Sequence, residues 1–174
     1  PYVGKGSHLP DVAMAAPIFY NNQLLLFVCN IAHHADIGGM SPGSMAGGMT
    51  EIYQEGLRIP PIRLFKSGKL MEDVMDMILL NVRVPEERRG DYNAQIASNK
   101  LGIKRCLDLI KKWGSKNIDE GCDVIIKSVA KRTRKSVSSL PDGTYTFEDI
   151  VDDDGLSRKN IVLKVSITVK KDQI

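Results

Sequence analysis

Histidine is almost missing from this 174-residue chain: there are three, and none after His34. Cysteine is as scarce. Cys29, Cys106 and Cys122 are an odd number without a C-x-x-C pair, which argues against a disulfide framework and predicts reduced, mostly buried thiols in a cytoplasmic protein. No long hydrophobic run exists. The longest, Leu24 to Cys29, is far short of a membrane span, and no signal peptide is visible. Neither sign of charge dominates. The 24 Lys and Arg face 21 Asp and Glu, a net +3, too mild a balance to imply a nucleic-acid partner. The densest basic run (Lys127, Lys131, Arg132, Arg134, Lys135) has no interleaved aromatics and reads as a solvated helix face. H-E-x-x-H and G-x-S-x-G are both absent, and the glycine-rich stretch has no P-loop lysine. A catalogued metalloprotease, a serine elbow and an ATP site within this chain are therefore not indicated. There is no initiator methionine either. Pro1-Tyr2-Val3-Gly4-Lys5-Gly6 reads as loop interior, so residues 1–174 are expected to be a single domain taken from a longer subunit.

What is present supports a folded core. Hydrophobic residues are 43% of the chain and charged residues 26%, ordinary globular values. Residues 13–20 and 23–31 read as strands around the turn pair Asn21-Asn22, a hairpin signal, with Pro17 suited to an edge or a bulge. Residues 38–48, rich in Gly, Ser, Pro and Met, read as a long loop lining a site. Residues 62–65 read as a short strand before the turn Ser67-Gly68.

Residues 72–82 have helical periodicity, Pro85 suits a helix start, and the pattern over 92–113 closes at Gly114. A further helix follows through Val137. Residues 144–149 and 161–169 alternate as two strands across the acidic turn Asp152-Asp153-Asp154-Gly155. That turn lacks the spacing of a calcium loop. The expected architecture is α+β: an N-terminal β-hairpin carrying a His/Asp site, central helices and a C-terminal β-hairpin.

The three histidines each precede an aspartate, in Gly6-Ser7-His8-Leu9-Pro10-Asp11 and Ala32-His33-His34-Ala35-Asp36. Imidazole and carboxylate are the usual nitrogen and oxygen ligands of a divalent metal. The hairpin returns the second segment to the first, so both H-x-x-D spacings are expected at one end of it. His33 and His34 are adjacent and face opposite ways in an extended chain. One of them is then a candidate ligand and the other an orienter or substrate contact; alternation does not say which. Glu51, Glu55, Arg58, Asp91 and Gln95 are weaker candidates bordering the loop and helix starts.

At these residues the chain resembles the hydantoinase B/oxoprolinase family. The resemblance runs through Gly6–Val12, Ala32–Gly39, Ser41–Ser44, Glu51–Pro61, Asn81–Arg83, Gly90–Gln95 and Leu140–Tyr145. It implies a central stretch of a B-type subunit working with a hydantoinase A-type subunit that carries the ATP site. Together such proteins open cyclic amides such as hydantoins, 5-oxoproline and caprolactam, or carboxylate ketones. By this analogy His8, Asp11 and His33 would hold a divalent metal, Zn or Mn, and His34 or Asp36 would shuttle a proton. Two other readings stand beside the ring-opening one. The first is a ketone carboxylase subunit; the second is a non-catalytic interaction module stapled by its metal.

Overall fold

The computed structural model describes residues 8–174; the expectations for residues 1–7 lie outside the described residues. Helices and hairpins alternate in an α+β arrangement with a long hairpin near each end. Length alone predicts one domain. The chain gathers into two compact units, one running to Asp108 and the other Leu109–Ile174.

The first unit begins with β1, Asp11–Tyr20, paired antiparallel with β2, Gln23–His33. Asn21 and Asn22 both take positive φ, 49° and 61°, the geometry of a two-residue turn whose twist matches the strands it joins. The register shifts between Ile18 and Phe19, next to Pro17, where a missing N–H costs little. Alternation then sorts the hairpin. Val12, Met14, Val28, Asn30 and His34 lie on one face, and Asp11, Phe27, Ile31 and His33 on the other. Phe27 and Ile31, at 59% and 65% exposed, show that the second face is uncovered.

The covered face meets two helices. Helix α1, Ile52–Glu55, is a single turn, and a two-residue ladder pairs β3, Phe65–Lys66, with β4, Lys69–Leu70, around Ser67-Gly68. Then come α2, Glu72–Leu80, and α3, Pro85–Trp113. Met75, Ile78 and Leu79 of α2 join Tyr92 of α3 in a buried cluster, with Val12, Met14 and Ile96 around it. Gly102 explains how closely α3 approaches the hairpin: a Cβ there would sit 2.7 Å from Cγ1 of Val28. Glycine costs a helix interior roughly 1 kcal/mol, which this packing offsets. Pro85 does start the helix, and Glu86 and Glu87 complement its positive end.

Tyr92 is 1% exposed and burial pushes its phenol up to about 12. Its hydroxyl has no hydrogen-bond partner among the described residues. Tyr92→Phe is therefore expected to leave stability unchanged or to raise it by up to about 1 kcal/mol, because an unsatisfied hydroxyl is removed. Urea denaturation checks this.

In the second unit α4, Ser115–Val137, precedes β5, Gly143–Asp153, and β6, Lys159–Val169. The ladder places Tyr145, Phe147, Val151, Leu163, Val165 and Ile167 on one face, each 42–66% exposed. The acidic turn closes itself: Asp154 Oδ1 accepts the N–H groups of Leu156, Ser157 and Arg158. Those bonds, led by Leu156, hold its carboxyl below the usual range. Such a carboxylate is a turn-closing residue, as its spacing indicated. The cysteines depart from expectation. Cys29 and Cys122 are exposed and Cys106 half-buried, because they fall on faces of β2, α3 and α4 that no described element covers. Among the described residues no helix is long and apolar enough to cross a membrane.

Candidate metal centre

Two strands and one turn of chain assemble the centre. Asp11 and His33 are cross-strand partners at the open end of the β1–β2 hairpin, so the ladder itself sets their spacing. His8, three residues before Asp11, brings its Nδ1 to 3.6 Å from Asp11 Oδ2, and its ring centroid lies 4.9 Å from that of His33. One ligand atom from each of His8, Asp11 and His33 lies within 4.8 Å of the others. His8 and Asp11 are half-buried and His33 is exposed. The donor set is two imidazoles and one carboxylate, a combination suited to Zn²⁺ or Mn²⁺. Ligands about 2.1 Å from an ion stand about 3.4 Å apart in a tetrahedron, so these side chains must close by roughly 1 Å to grip one.

His34 goes the other way. It is 1% exposed, its ring stacks 4.3 Å from that of Tyr92, and its Nε2 lies 2.9 Å from Gln95 Oε1. Gln95 gives its amide hydrogens to the Val12 carbonyl and to Asn30 Oδ1, leaving Oε1 to accept from His34. Asn30 Nδ2 in turn donates to the Gln95 carbonyl and to Asn99 Oδ1. This buried network clamps the hairpin to α3 and thereby fixes the strand that ends in His33. Gln95→Leu should cost about 2–3 kcal/mol, because Asn30 and His34 would lose buried partners. Chemical denaturation measures it; a variant as stable as the parent would mean that the network clamps nothing.

Asp36 is also turned away from the three ligand candidates. Its Oδ1 accepts the N–H of Gly38 and of Arg83, and its Oδ2 accepts Gly43 N–H and the Arg83 guanidinium at 3.1 Å. Arg83 further donates to the carbonyls of Ser41 and Gly39. Burial pushes the Asp36 carboxyl up, but the bonds from Arg83, Gly38 and Gly43 outweigh it and hold its pKa below the ordinary 3.8. Ser44, 2% exposed, donates to the Gly38 carbonyl and accepts from Ile37 N–H. Gly38 has φ +87°, and a Cβ there would strike the Asn81 carbonyl, so the turn needs glycine.

His34 and Asp36, expected as proton shuttles, both make hydrogen bonds that hold the fold: His34 through Nε2 to Gln95, and Asp36 to Gly38, Gly43 and Arg83. The glycine-rich loop, read as lining a site, is pinned shut by Asp36, Ser44 and Arg83 instead. The cleft beside His33 is lined by His34 as well, together with Arg88, Asp91, Gln95 and Ser98 of α3. Arg83 and Arg88 were missed as working residues. The only sequence signal for Arg83 was its place in the run Asn81–Arg83, and for Arg88 its nearness to the run that opens at Gly90.

The family model of hydantoinase B/oxoprolinase matches residues 1–174. The chain belongs to this family. It is 46% identical over 120 residues to a protein of Methanocaldococcus jannaschii, covering 69% of this chain and 21% of that one. A protein of Pseudomonas sp. described as one subunit of a putative D-/L-hydantoinase is 34% identical over 99% of this chain, which covers 29% of it. The crystal structure of the ATP-dependent caprolactamase from Pseudomonas jessenii superposes with a TM-score of 0.85 at 33% identity, over 96% of this chain and 29% of that one. The chain thus spans less than a third of the length of the relatives it matches.

Proposed function

We propose that this chain supplies the metal-binding hairpin of a B-type subunit that hydrolyses cyclic amides activated by ATP. The observation that carries the reading is the convergence of His8, Asp11 and His33, with ligand atoms inside 4.8 Å, in a member of this family. A divalent ion held there, Zn²⁺ or Mn²⁺, would lower the pKa of a bound water toward about 7 and supply a Lewis acid for the substrate oxygen.

The protein's part is positional. Asp11 and His33 are held across one ladder rung, and His8 is held beside Asp11. Preorganised ligands avoid an entropy cost on binding. The Gln95–Asn30–His34 network stiffens β2 up to its last residue. His33 stands on the exposed face beside the cleft, so a substrate can reach the ion without entering the core.

Nothing in the chain resembles a P-loop. ATP is assigned to a hydantoinase A-type partner subunit, and a cytoplasmic setting supplies that nucleotide and suits the free thiols. A lactam is a poor electrophile, and phosphorylating its oxygen on the partner creates the leaving group that this subunit's substrate needs.

The deciding experiment combines the protein with its partner, ATP and a cyclic amide, with labelled bicarbonate in a parallel reaction. Ring-opened amino acid, lost on metal chelation and restored by Zn²⁺ or Mn²⁺, is the expected result. Label fixed into a ketone substrate would replace hydrolysis by carboxylation. Full turnover by a metal-free complex would reduce the centre to a structural staple.

A further inference from the structure

Val84 is held in a backbone conformation that its side chain resists. Its φ is +51°, in the left-handed region that L residues enter at a cost and β-branched ones seldom enter at all. Pro85 follows, and a residue before proline is further biased toward extended backbone. Val84 is 55% exposed, so packing of its side chain does little to offset the strain.

The compensation lies one residue earlier. Arg83 gives its N–H to Asp36 Oδ1, and its guanidinium to Asp36 Oδ2 and the carbonyls of Ser41 and Gly39. Two residues further back, the Asn81 carbonyl sits against Gly38, where a Cβ would collide. The corner between α2 and α3 is therefore fastened to the glycine-rich loop at two points. On its other side, the Val84 carbonyl accepts the N–H of Arg88 at 3.2 Å. Arg88, with a side chain only 9% exposed, is the one lysine or arginine among the described residues that lines the cleft beside His33. A single strained residue thus stands between the loop latch and the cleft wall.

We propose that Val84 is the hinge of a two-state device that couples the glycine-rich loop to the cleft. With Asp36 and Arg83 engaged, Val84 is held at positive φ and Arg88 is fixed in the wall. When the latch opens, Val84 relaxes to extended backbone, the first turn of α3 frays and Arg88 leaves the wall. Strain of this kind is worth roughly 5- to 150-fold in population, which keeps the open state accessible. The buried cation of the cleft is then present only while the loop is latched. The device needs no metal and stands apart from the hydrolytic reading.

Amide hydrogen exchange on the intact chain, resolved by NMR, measures the opening of each bond. The amides of Gly38 and Arg83 report the latch, that of Arg88 reports the helix start, and Ile96 in the middle of α3 is the reference. Val84→Gly removes the strain. All three reporters should then exchange at least about threefold more slowly, with Ile96 unchanged. Val84→Ala should keep most of the parent's opening, because any L residue retains the clash of its Cβ with the following carbonyl. Arg83→Lys keeps the charge but loses the fork, so Gly38 and Arg88 should both exchange at least about tenfold faster. Circular dichroism establishes that each variant is folded. Two results overturn the proposal. One is a glycine variant that exchanges no more slowly than the alanine variant, since strain then drives nothing. The other is a response confined to one side, with Gly38 and Arg88 changing independently.

Discussion

Replacing His33 with alanine is expected to weaken Zn²⁺ or Mn²⁺ binding at least about a hundredfold while the hairpin stays folded. Losing an outer-sphere partner already costs about 10–100-fold in metal affinity, and a ligand that also closes the site should cost no less. The fold should tolerate the change. His33 is exposed and at a strand end, where substitutions usually stay within about ±0.5 kcal/mol. Calorimetric titration with the metal gives the affinity, and circular dichroism with a urea curve gives the fold. His34→Ala provides the contrast, because removing a buried ring stacked on Tyr92 should destabilise the protein by about 2 kcal/mol or more through cavity and lost hydrogen bond. Equal metal affinity in the His33 variant and the parent would remove that residue from the site.

Asp36→Ala should be the most destabilising single change in the glycine-rich loop, by about 3 kcal/mol or more. The carboxylate satisfies three backbone N–H groups and one guanidinium. A buried donor left unsatisfied costs about 1–3 kcal/mol; the Gly38 N–H is buried and those of Gly43 and Arg83 are partly so, and all three lose their acceptor together with the Arg83 guanidinium. Asp36→Asn keeps the shape but replaces an acceptor oxygen with a donor, so it should also lose most of this stability.

The pH dependence follows from the lowered carboxyl pKa. A depressed folded-state pKa contributes stability that is fully present above the unfolded value near about 3.9. That stability is lost as pH falls below about 4 and through the folded value. The parent should therefore weaken in acid below about pH 4, and Asp36→Asn should show a flatter profile across the same window. Urea midpoints taken from about pH 2 to 6 provide the measurement. If Asp36→Ala unfolds at the parent's midpoint, the anchoring role fails and a chemical role for Asp36 reopens.

Much of this was legible locally. Alternating apolar residues flanking Asn21-Asn22 mark a hairpin because both a strand's period and a two-residue turn's φ requirements are properties of neighbouring residues. Pro85 and Gly114 bracket a helix for the same reason. The hairpin in turn implies that the His8–Asp11 and His33–Asp36 segments meet at one end. Their meeting needs only the chain reversal, and no knowledge of what packs on the sheet.

Other features escaped. Asp36 and Arg83 are 47 residues apart, so nothing local to an aspartate beside two histidines and two glycines shows that it is half of a loop anchor. The choice between His33 and His34 depended on where α3 docks, since only the face of β2 carrying His34 meets Gln95 and Tyr92. The exposed thiols have the same origin: a cysteine's preference for burial says nothing about which face a neighbouring element covers.

From its order of residues alone, then, this protein declared its hairpins, its helices, its family and the pairing of two His/Asp segments at one hairpin end. Each of these is written in short-range periodicity or in short runs of matching residues. Which histidine stays solvent-facing, which aspartate is consumed in holding a loop, and which helix wall borders the cleft were decided by tertiary packing. Those assignments depend on partners brought together from 47 to 65 positions away, and such pairings leave no local signature.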